Sequence, residues 1–463
     1  MFSFLTVFAL AIVVLFAGLF GLRKHLFWIL ATGLTAAFAV GIGEWIGYDP
    51  AVEGPKVLAG MLSFDYYALS FGAVALGAMW LIALMSGFSF RHLNKSLGDH
   101  YGLMLFSLCG AFCLFSYESL LMLFLGVEIL SIPLYVLAGS QRRSLASNEA
   151  ALKYYLMGSF ATGILLFGIA LLFGSTNSLD LQGMHTYLAG SLERPGLFYT
   201  GLLLVFMGMS FKVAAVPFHF WSPDVYEGSP TLVTTYMSTI VKMAAFAAFF
   251  RLASTFGIAA EHWAPIVAGL SALTILVGNG TAVYQSRFKR LLAYSSISHT
   301  GYLLLGLLAG TPGAGGAMFL YLLSYVTATI GAFAVFQLAT GDSGKEEISV
   351  FNGLAKRNPW LAFSMAVSVL SMAGIPPLAG FFGKYFLFAG ALAHWPWLVV
   401  VALLGSAVGI YYYLRLIAAM YFTPADDDAH EIDVPWAYAV VALVCTVLAL
   451  ALGVAPGYVM GLV

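Results

Sequence analysis

Charge is what this sequence has least of. Only 9% of its 463 residues are Asp, Glu, Lys or Arg, against roughly 25% in ordinary soluble domains. The net charge of −1 argues against nucleic acid as a partner. Cysteine is scarce as well. Cys109, Cys113 and Cys445 form no CxxC pair and sit in apolar runs, where a free thiol packs as a small hydrophobe. Neither a disulfide framework nor an iron–sulfur site has a basis here. No G-x-x-x-x-G-K-[ST] loop and no dinucleotide fingerprint occurs, so ATP hydrolysis and NADH binding lack a recognisable seat. Energy must therefore come from an ion gradient or from a partner subunit. A basic segment ahead of the first apolar run is missing too. Arg23 and Lys24 follow the run Phe2–Phe20, the pattern of a retained first span rather than a cleaved signal.

What the chain has is hydrophobic sequence, 61% of it, in runs near the length that crosses about 30 Å of hydrocarbon. In lipid every backbone polar group must be paired internally, which leaves helices or closed barrels. Barrel strands alternate polar and apolar residues; these runs are continuous. The expected fold class is an all-α integral membrane protein with about fourteen transmembrane helices. The spans run from 2–21 to 435–459, with the closest divisions at 116–118 and around 285–290. Basic residues fall mainly in the odd-numbered connections: Arg23 and Lys24, Arg91 and Lys95, Arg142 and Arg143, Arg287 with Lys289 and Arg290, and Lys345 with Lys356 and Arg357. Even-numbered connections hold Lys56, Arg194 and Arg251. The positive-inside rule then makes the odd connections cytoplasmic and sends both termini outward. The acidic connection 424–433, with Asp426, Asp427, Asp428 and Glu431, dissents, but acidic residues weigh little in that rule.

Two spans read as broken. Span 196–219 holds Lys212 and then Pro217; span 359–389 holds Gly374, Pro376, Pro377 and then Lys384. A proline inside a helix removes a hydrogen bond and frees a carbonyl. Paired interruptions at corresponding places point to a transporter built from structural repeats. The expected organisation of the single membrane domain is three N-terminal helices in 1–95, a first five-helix repeat in 96–255, a second in 262–422 and a last helix in 423–463. An odd number of helices per repeat makes the two topologies inverted.

Few charges lie within spans: Glu128, Lys153, Lys212, Lys242, Lys384 and Arg415, with His299 as a further titratable group. Each charge near the bilayer centre costs about 2.5–3.5 kcal/mol on insertion scales. A lysine that gains and loses a carboxylate partner can bind and release a proton, which arginine cannot. Glu128 lies too deep to reach the interface, Lys212 sits beside the helix break and Lys242 lies mid-span. Lys153 follows Glu149 by four residues, which fits an ordinary helical ion pair as well as a functional one. Lys384, nearer a span end, fits snorkelling as well. Arg415 fits an interfacial anchor. On spacing alone His299 suits a core histidine as well as a proton carrier, and His219 beside Trp221 suits a helix boundary.

Three stretches carry a resemblance. FKVAAVPFHFWSPDVYEGSPT from Phe211, KRLLAYSSISHTGY from Lys289 and GIPPLAGFFGK from Gly374 resemble the signatures of the antiporter-like, proton-translocating membrane subunits of respiratory complex I. PDVYEGSPT and SSISH resemble the subunit N branch, and the expected end after the fourteenth span lacks the lateral helix of the long distal subunit. The resemblance implies a relay of Glu128, Lys212, Lys242, His299 and Lys384, in which the Glu128 carboxylate pairs with Lys212 and tunes it, with Lys153 and Glu149 matching a sixth-helix pair less firmly. It implies a place in the inner membrane beside other membrane-arm subunits, including neighbouring antiporter-like ones, with lipids around it and protons as cargo. It implies no cofactor in this chain, with NADH, flavin, iron–sulfur clusters and quinone held by partner subunits. Relatives of this kind also serve in monovalent cation/proton antiporters. A membrane cytochrome using His219 and His299 as axial ligands is a poor fit, and a purely structural membrane arm leaves the buried lysines without a use.

Overall fold

Backbone hydrogen bonds turned inward along each apolar run produce helices almost throughout. The structure, a computed structural model, describes all residues except 50–53, 90–96, 191–194, 312, 342–343, 426–431 and 463. In chain order its helices are α1 (Phe2–Leu19), α2 (Leu26–Ile46), α3 (Tyr66–Ser89), α4 (Leu97–Ser116), α5 (Leu120–Ala138), α6 (Leu145–Thr176), α7 (Leu181–Gly190), α8 (Gly196–Lys212), α9 (Trp221–Gly228) and α10 (Thr231–Tyr236). They continue as α11 (Lys242–Thr255), α12 (Ala260–Ala282), α13 (Phe288–Leu307), α14 (Ala314–Thr340), α15 (Leu354–Arg357), α16 (Pro359–Ala373), α17 (Ala379–Leu392), α18 (Pro396–Tyr421), α19 (Trp436–Val454) and α20 (Pro456–Met460). A two-residue hairpin, β1 (Lys56–Val57) against β2 (Leu62–Ser63), is a small exception to the all-helical expectation. Among the described residues eleven helical spans are long and apolar enough to cross a membrane. Helices α8, α16 and α17 are shorter apolar pieces. The close divisions fall where expected, between Ser116 and Leu120 and between Ala282 and Phe288. Arg91, Lys95, Arg194, Asp426, Asp427, Asp428 and Glu431 lie outside the described residues.

The chain forms two compact units, one of 1–214 and 228–266, the other of 215–227 and 267–463. In the first, α4 packs against α1, α3, α5 and α11, while α6 lies along α8 and α5. The span Thr231–Thr255 is wholly buried, whereas α1 keeps only 33% of its length buried and the span through α2 28%. In the second unit α14 is the central post, 94% buried and packed on α16, α17 and α19; α13 packs on α17, α14 and α18.

The two breaks differ from the expectation in one respect. Pro217, Pro376 and Pro377 do not kink a continuing helix; each lies in a turn after the helix has ended. Helix α8 stops at Lys212, and Ala214 takes a left-handed φ of 58°, a conformation that costs a non-glycine residue about 1–2 kcal/mol. Helix α16 stops at Ala373, and Gly374 takes the left-handed φ of 84° that glycine adopts without strain. A proline cannot restart the ladder of hydrogen bonds, so side chains complete it. Thr274 Oγ1 accepts from Val216 N at 2.9 Å. Ser371 Oγ accepts from Gly380 N at 3.2 Å, and Lys384 Nζ donates to Ala373 O at 2.9 Å. A third irregularity had no proline to announce it. Between α10 and α11, Met237–Val241 forms a π-helical turn, and Thr239 Oγ1 bonds back to Thr235 O at 2.6 Å. Such back-bonding loosens the helical ladder.

Candidate functional site

In the first unit the site is built around Lys212, in the last turn of α8, where the carbonyl end of the helix favours a cation. The residue is buried, and its ammonium donates to Ser131 Oγ on α5, which itself donates to Val127 O. The ammonium also stands 6.0 Å from the centroid of the Tyr154 ring on α6, within cation–π range. Glu128 shares the α5 face of Ser131 and Tyr135 through its three- and seven-residue spacing. Its charge acts on Lys212 from a distance. The expected pairing of the two is thus corrected: among the described residues no ion pair joins them, and a hydroxyl takes the carboxylate's place at the ammonium. Glu128 is only half-buried, so full contact would hold its charge away from water for little return. Beside Lys212 lies a cavity lined by Tyr135, Gly158, Thr162 and Gly208, with ≈ 10 Å³ open to the centre of a water-sized sphere, about the room of one water.

Lys242 is buried in the same unit as the first residue of α11, directly after the π turn. Single-turn π insertions recur at functional positions because they redirect one side chain. Lys153 and Glu149 form an i,i+4 ion pair at 2.6 Å on the outside of α6, with side chains 39% and 62% exposed. The pair is exposed, whereas Lys212 and Lys242 are buried.

The second unit brings His299 and Lys384 together. Both line one cavity with Tyr321, Ser324, Tyr325 and Ser371, again with ≈ 10 Å³ of water-centre space. His299 on α13 has a tyrosine hydroxyl at each ring nitrogen: Tyr321 at Nδ1, 2.6 Å, and Tyr413 at Nε2, 3.2 Å. Tyr413 is also bonded to Ser295 Oγ. Lys384 donates to Ser406 Oγ at 2.9 Å besides Ala373 O, and stands 5.0 Å from the Tyr302 ring centroid. Tyr302 is tied on through Asn279, whose Nδ2 donates to its hydroxyl at 3.0 Å and whose Oδ1 accepts from Tyr412 at 3.2 Å. Neither these tyrosines nor Asn279 were among the candidates legible in the sequence. The one signal available was that Tyr302, Tyr412 and Tyr413 sit mid-span, where a phenol needs a partner.

Two further charge clusters hold loops. In the second unit Arg290 Nη1 meets Asp224 at 2.9 Å and Glu227 at 2.7 Å, Arg287 also pairs with Glu227, and buried Lys289 pairs with Glu346 at 2.6 Å. Burial raises the Glu227 carboxyl, but the hydrogen bonds from Arg290 and Arg287 outweigh burial and hold it below the ordinary 4.5. In the first unit Arg251 bridges Asp65 at 2.7 Å and Glu118 at 2.8 Å. Burial pushes the Glu118 carboxyl up against the opposing pull of Arg251. Glu44, a further carboxylate within a span, accepts from the Met1 amine and the backbone of Ser3, satisfying orphan donors at the start of α1. Arg415 donates to Val283 O and Gln285 O after the end of α12, an anchoring role. His219 is buried beside Phe220. Among the described residues no group of three or more His, Cys, Asp or Glu is placed to hold a metal ion.

A family model described as NADH:quinone oxidoreductase/Mrp antiporter, transmembrane, matches residues 118–409. NADH-quinone oxidoreductase subunit N of Cytophaga hutchinsonii is 43% identical over 407 residues, 87% of this chain and 86% of that protein. The chain belongs to the NADH-quinone oxidoreductase subunit N family. In three dimensions a chain of respiratory complex I from Thermus thermophilus with bound aureothin matches with a TM-score of 0.83 and 35% identity, covering 99% of this chain and 98% of that one. A chain of the Mrp complex from Dietzia sp. matches with a TM-score of 0.87 but 22% identity, over 99% and 95%, a likeness of fold alone. The family stretch includes Glu128, Lys212, Lys242, His299 and Lys384 alike.

Proposed function

We propose that this chain is a proton-translocating membrane-arm subunit of an NADH:quinone oxidoreductase, coupling NADH oxidation and quinone reduction in other subunits to proton transport. It contributes to that enzyme as a translocase and carries no redox centre. NADH, flavin, iron–sulfur clusters and quinone belong to its partners. Neighbouring antiporter-like subunits, other membrane-arm subunits and lipids surround it in the inner membrane, and both termini face outward. Helices α8, α13 and the α16–α17 pair complete about fourteen spans with the eleven long ones. Spans in 96–255 and 262–422 form two inverted five-helix repeats, flanked by 1–95 and 423–463.

In this reading Lys212, tuned by Glu128, takes up a cytoplasmic proton. Lys242 and His299 carry it along the midplane, and Lys384 releases it outward. Lys153 and Glu149, at the surface of α6, are the outermost and least essential members. The observation that carries the reading is how the two best-defined lysines are held. Lys212 and Lys384 are buried against hydroxyls, a carbonyl and aromatic faces, with no carboxylate in ion-pair contact among the described residues. A lysine serving only as a counter-ion sits against a fixed negative charge. One held by neutral groups keeps its proton exchangeable. Replacing Lys212 with Ala abolishes NADH-driven proton uptake by inverted membrane vesicles while the complex still assembles. Normal uptake by Lys212→Ala would overturn the assignment. The second reading, a subunit of a monovalent cation/proton antiporter, draws on the shared fold of the Mrp chain. Cation-driven proton exchange by the isolated chain, without NADH, would favour it.

A further inference from the structure

A buried histidine needs a partner at each ring nitrogen, and the identity of those partners decides what the ring can do. A backbone carbonyl or a carboxylate can only accept, so it fixes the hydrogen on one nitrogen and freezes the tautomer. A hydroxyl can donate or accept. His299 meets a hydroxyl on both sides: Tyr321 on α14 at 2.6 Å from Nδ1 and Tyr413 on α18 at 3.2 Å from Nε2. The first is a little shorter than an ordinary N···O hydrogen bond and the second lies at the long end of the range. Either tautomer is then equally well bonded, with the line of O–H and N–H donors pointing one way or the other. Beyond Tyr413 the line continues to Ser295 Oγ. Beyond Tyr321 it opens on the cavity that Tyr321, His299 and Lys384 share, which has about the room of one water.

We propose that Tyr413, His299 and Tyr321 form a proton wire that delivers to Lys384, so that the two tyrosines, and not the histidine alone, are proton-carrying residues of the second unit. This rests on the proton-translocating reading given above. The balance is one hydrogen in and one out. A proton reaching Ser295 Oγ displaces its own hydrogen to the Tyr413 oxygen. Tyr413 passes its hydrogen to Nε2, Nδ1–H passes to the Tyr321 oxygen, and the Tyr321 hydrogen crosses the cavity to a Lys384 amine, which becomes an ammonium. At each centre one bond to hydrogen forms and one breaks, and no electrons change hands. The wire is left in the opposite tautomer. Rotation of the three hydroxyls and migration of the imidazole hydrogen restore it before the next proton.

The test uses the assembled complex in inverted vesicles and compares NADH-driven proton uptake with NADH oxidation. Tyr321→Phe and Tyr413→Phe keep the rings and remove the hydroxyls. Tyr101→Phe, which removes a buried hydroxyl bonded to Ser86 in the first unit, is the control. Proton uptake falls on the order of tenfold or more in both wire variants, the scale of lost acid–base groups, and stays normal in the control. Fluorotyrosines placed at 321 and 413 separate a carrier from a structural hydroxyl, because fluorine lowers phenol basicity with little change of shape. A carrier changes rate steadily with fluorine number; a hydroxyl that merely braces the ring does not. Normal uptake in both Phe variants, or flat fluorotyrosine rates, overturns the wire. If Lys212→Ala is blocked at the same time, the proton-translocating reading survives that result; if it too pumps normally, both fall.

Discussion

At the scale of single residues, the charges in this chain fall into two chemical kinds. Glu227 is of the structural kind, clasped by Arg290 and Arg287. Its carboxyl titrates below the ordinary 4.5 in the folded protein. A depressed carboxyl stabilises the fold above its unfolded value, and that contribution is lost as the pH falls through the folded one. The melting temperature of the purified complex should therefore drop on Glu227→Gln by an amount that is constant from about pH 6 to 8 and shrinks below about pH 4.5. A difference that instead grew on acidification would contradict this role. Lys212 and Lys384 are of the other kind, buried against neutral groups. That contrast was half legible in the sequence. A lysine within a span announces itself, because lipid makes it costly. Its partner does not, since Ser131 is one of many serines and lies 81 residues away. Glu128 looked like the partner because opposite charges are easy to read and hydroxyls are not. The tyrosines around His299 were hidden for the same reason: a mid-span tyrosine is ordinary until three helices converge on one ring.

At the scale of elements, the interruptions were legible as places and not as shapes. Pro217 and the Pro376–Pro377 pair marked where helices end, yet sequence alone could not say that each helix stops before its proline. The π turn ahead of Lys242 left no mark at all, because Met237–Val241 is an unremarkable apolar run. The second break is tightly built. A Cβ on Gly380 would collide with the backbone carbonyl of Ser371, and backbone cannot yield as a flexible side chain can. Gly380→Ala should therefore cost about 1–3 kcal/mol, as overpacking does, and lower the amount of assembled complex seen on native gels. Ser371→Ala leaves the space and removes only the hydroxyl that receives Gly380 N–H. Its cost should be smaller, about 0.5–1.5 kcal/mol for one neutral hydrogen bond lost where water can take its place. An alanine at 380 that assembled as well as wild type would show that the turn can open.

At the scale of the whole chain, composition was enough for the solvent, the helices and their approximate limits, because a bilayer permits so few solutions. It was not enough to show the division into two compact units, which cuts across the chain at 214, 227 and 266 and follows contacts no local pattern encodes. Orientation remains the most direct prediction at this scale. Cys109, Cys113 and Cys445 are all buried, so single cysteines can be labelled over a low background. His25→Cys should react with a membrane-impermeant maleimide only in inside-out vesicles, and Lys56→Cys only in right-side-out ones. The reverse pattern would invert the proposed topology.

Lys384 closes the second break by donating to Ala373 O and Ser406 Oγ. An ammonium has three hydrogens to give and a neutral amine keeps two. Those two bonds are the number an uncharged lysine can still make. The residue can shed its third hydrogen and go on holding the end of α16, so the break is held whatever the charge of Lys384. In the proposed relay, cargo leaves this point of the membrane without the scaffold letting go.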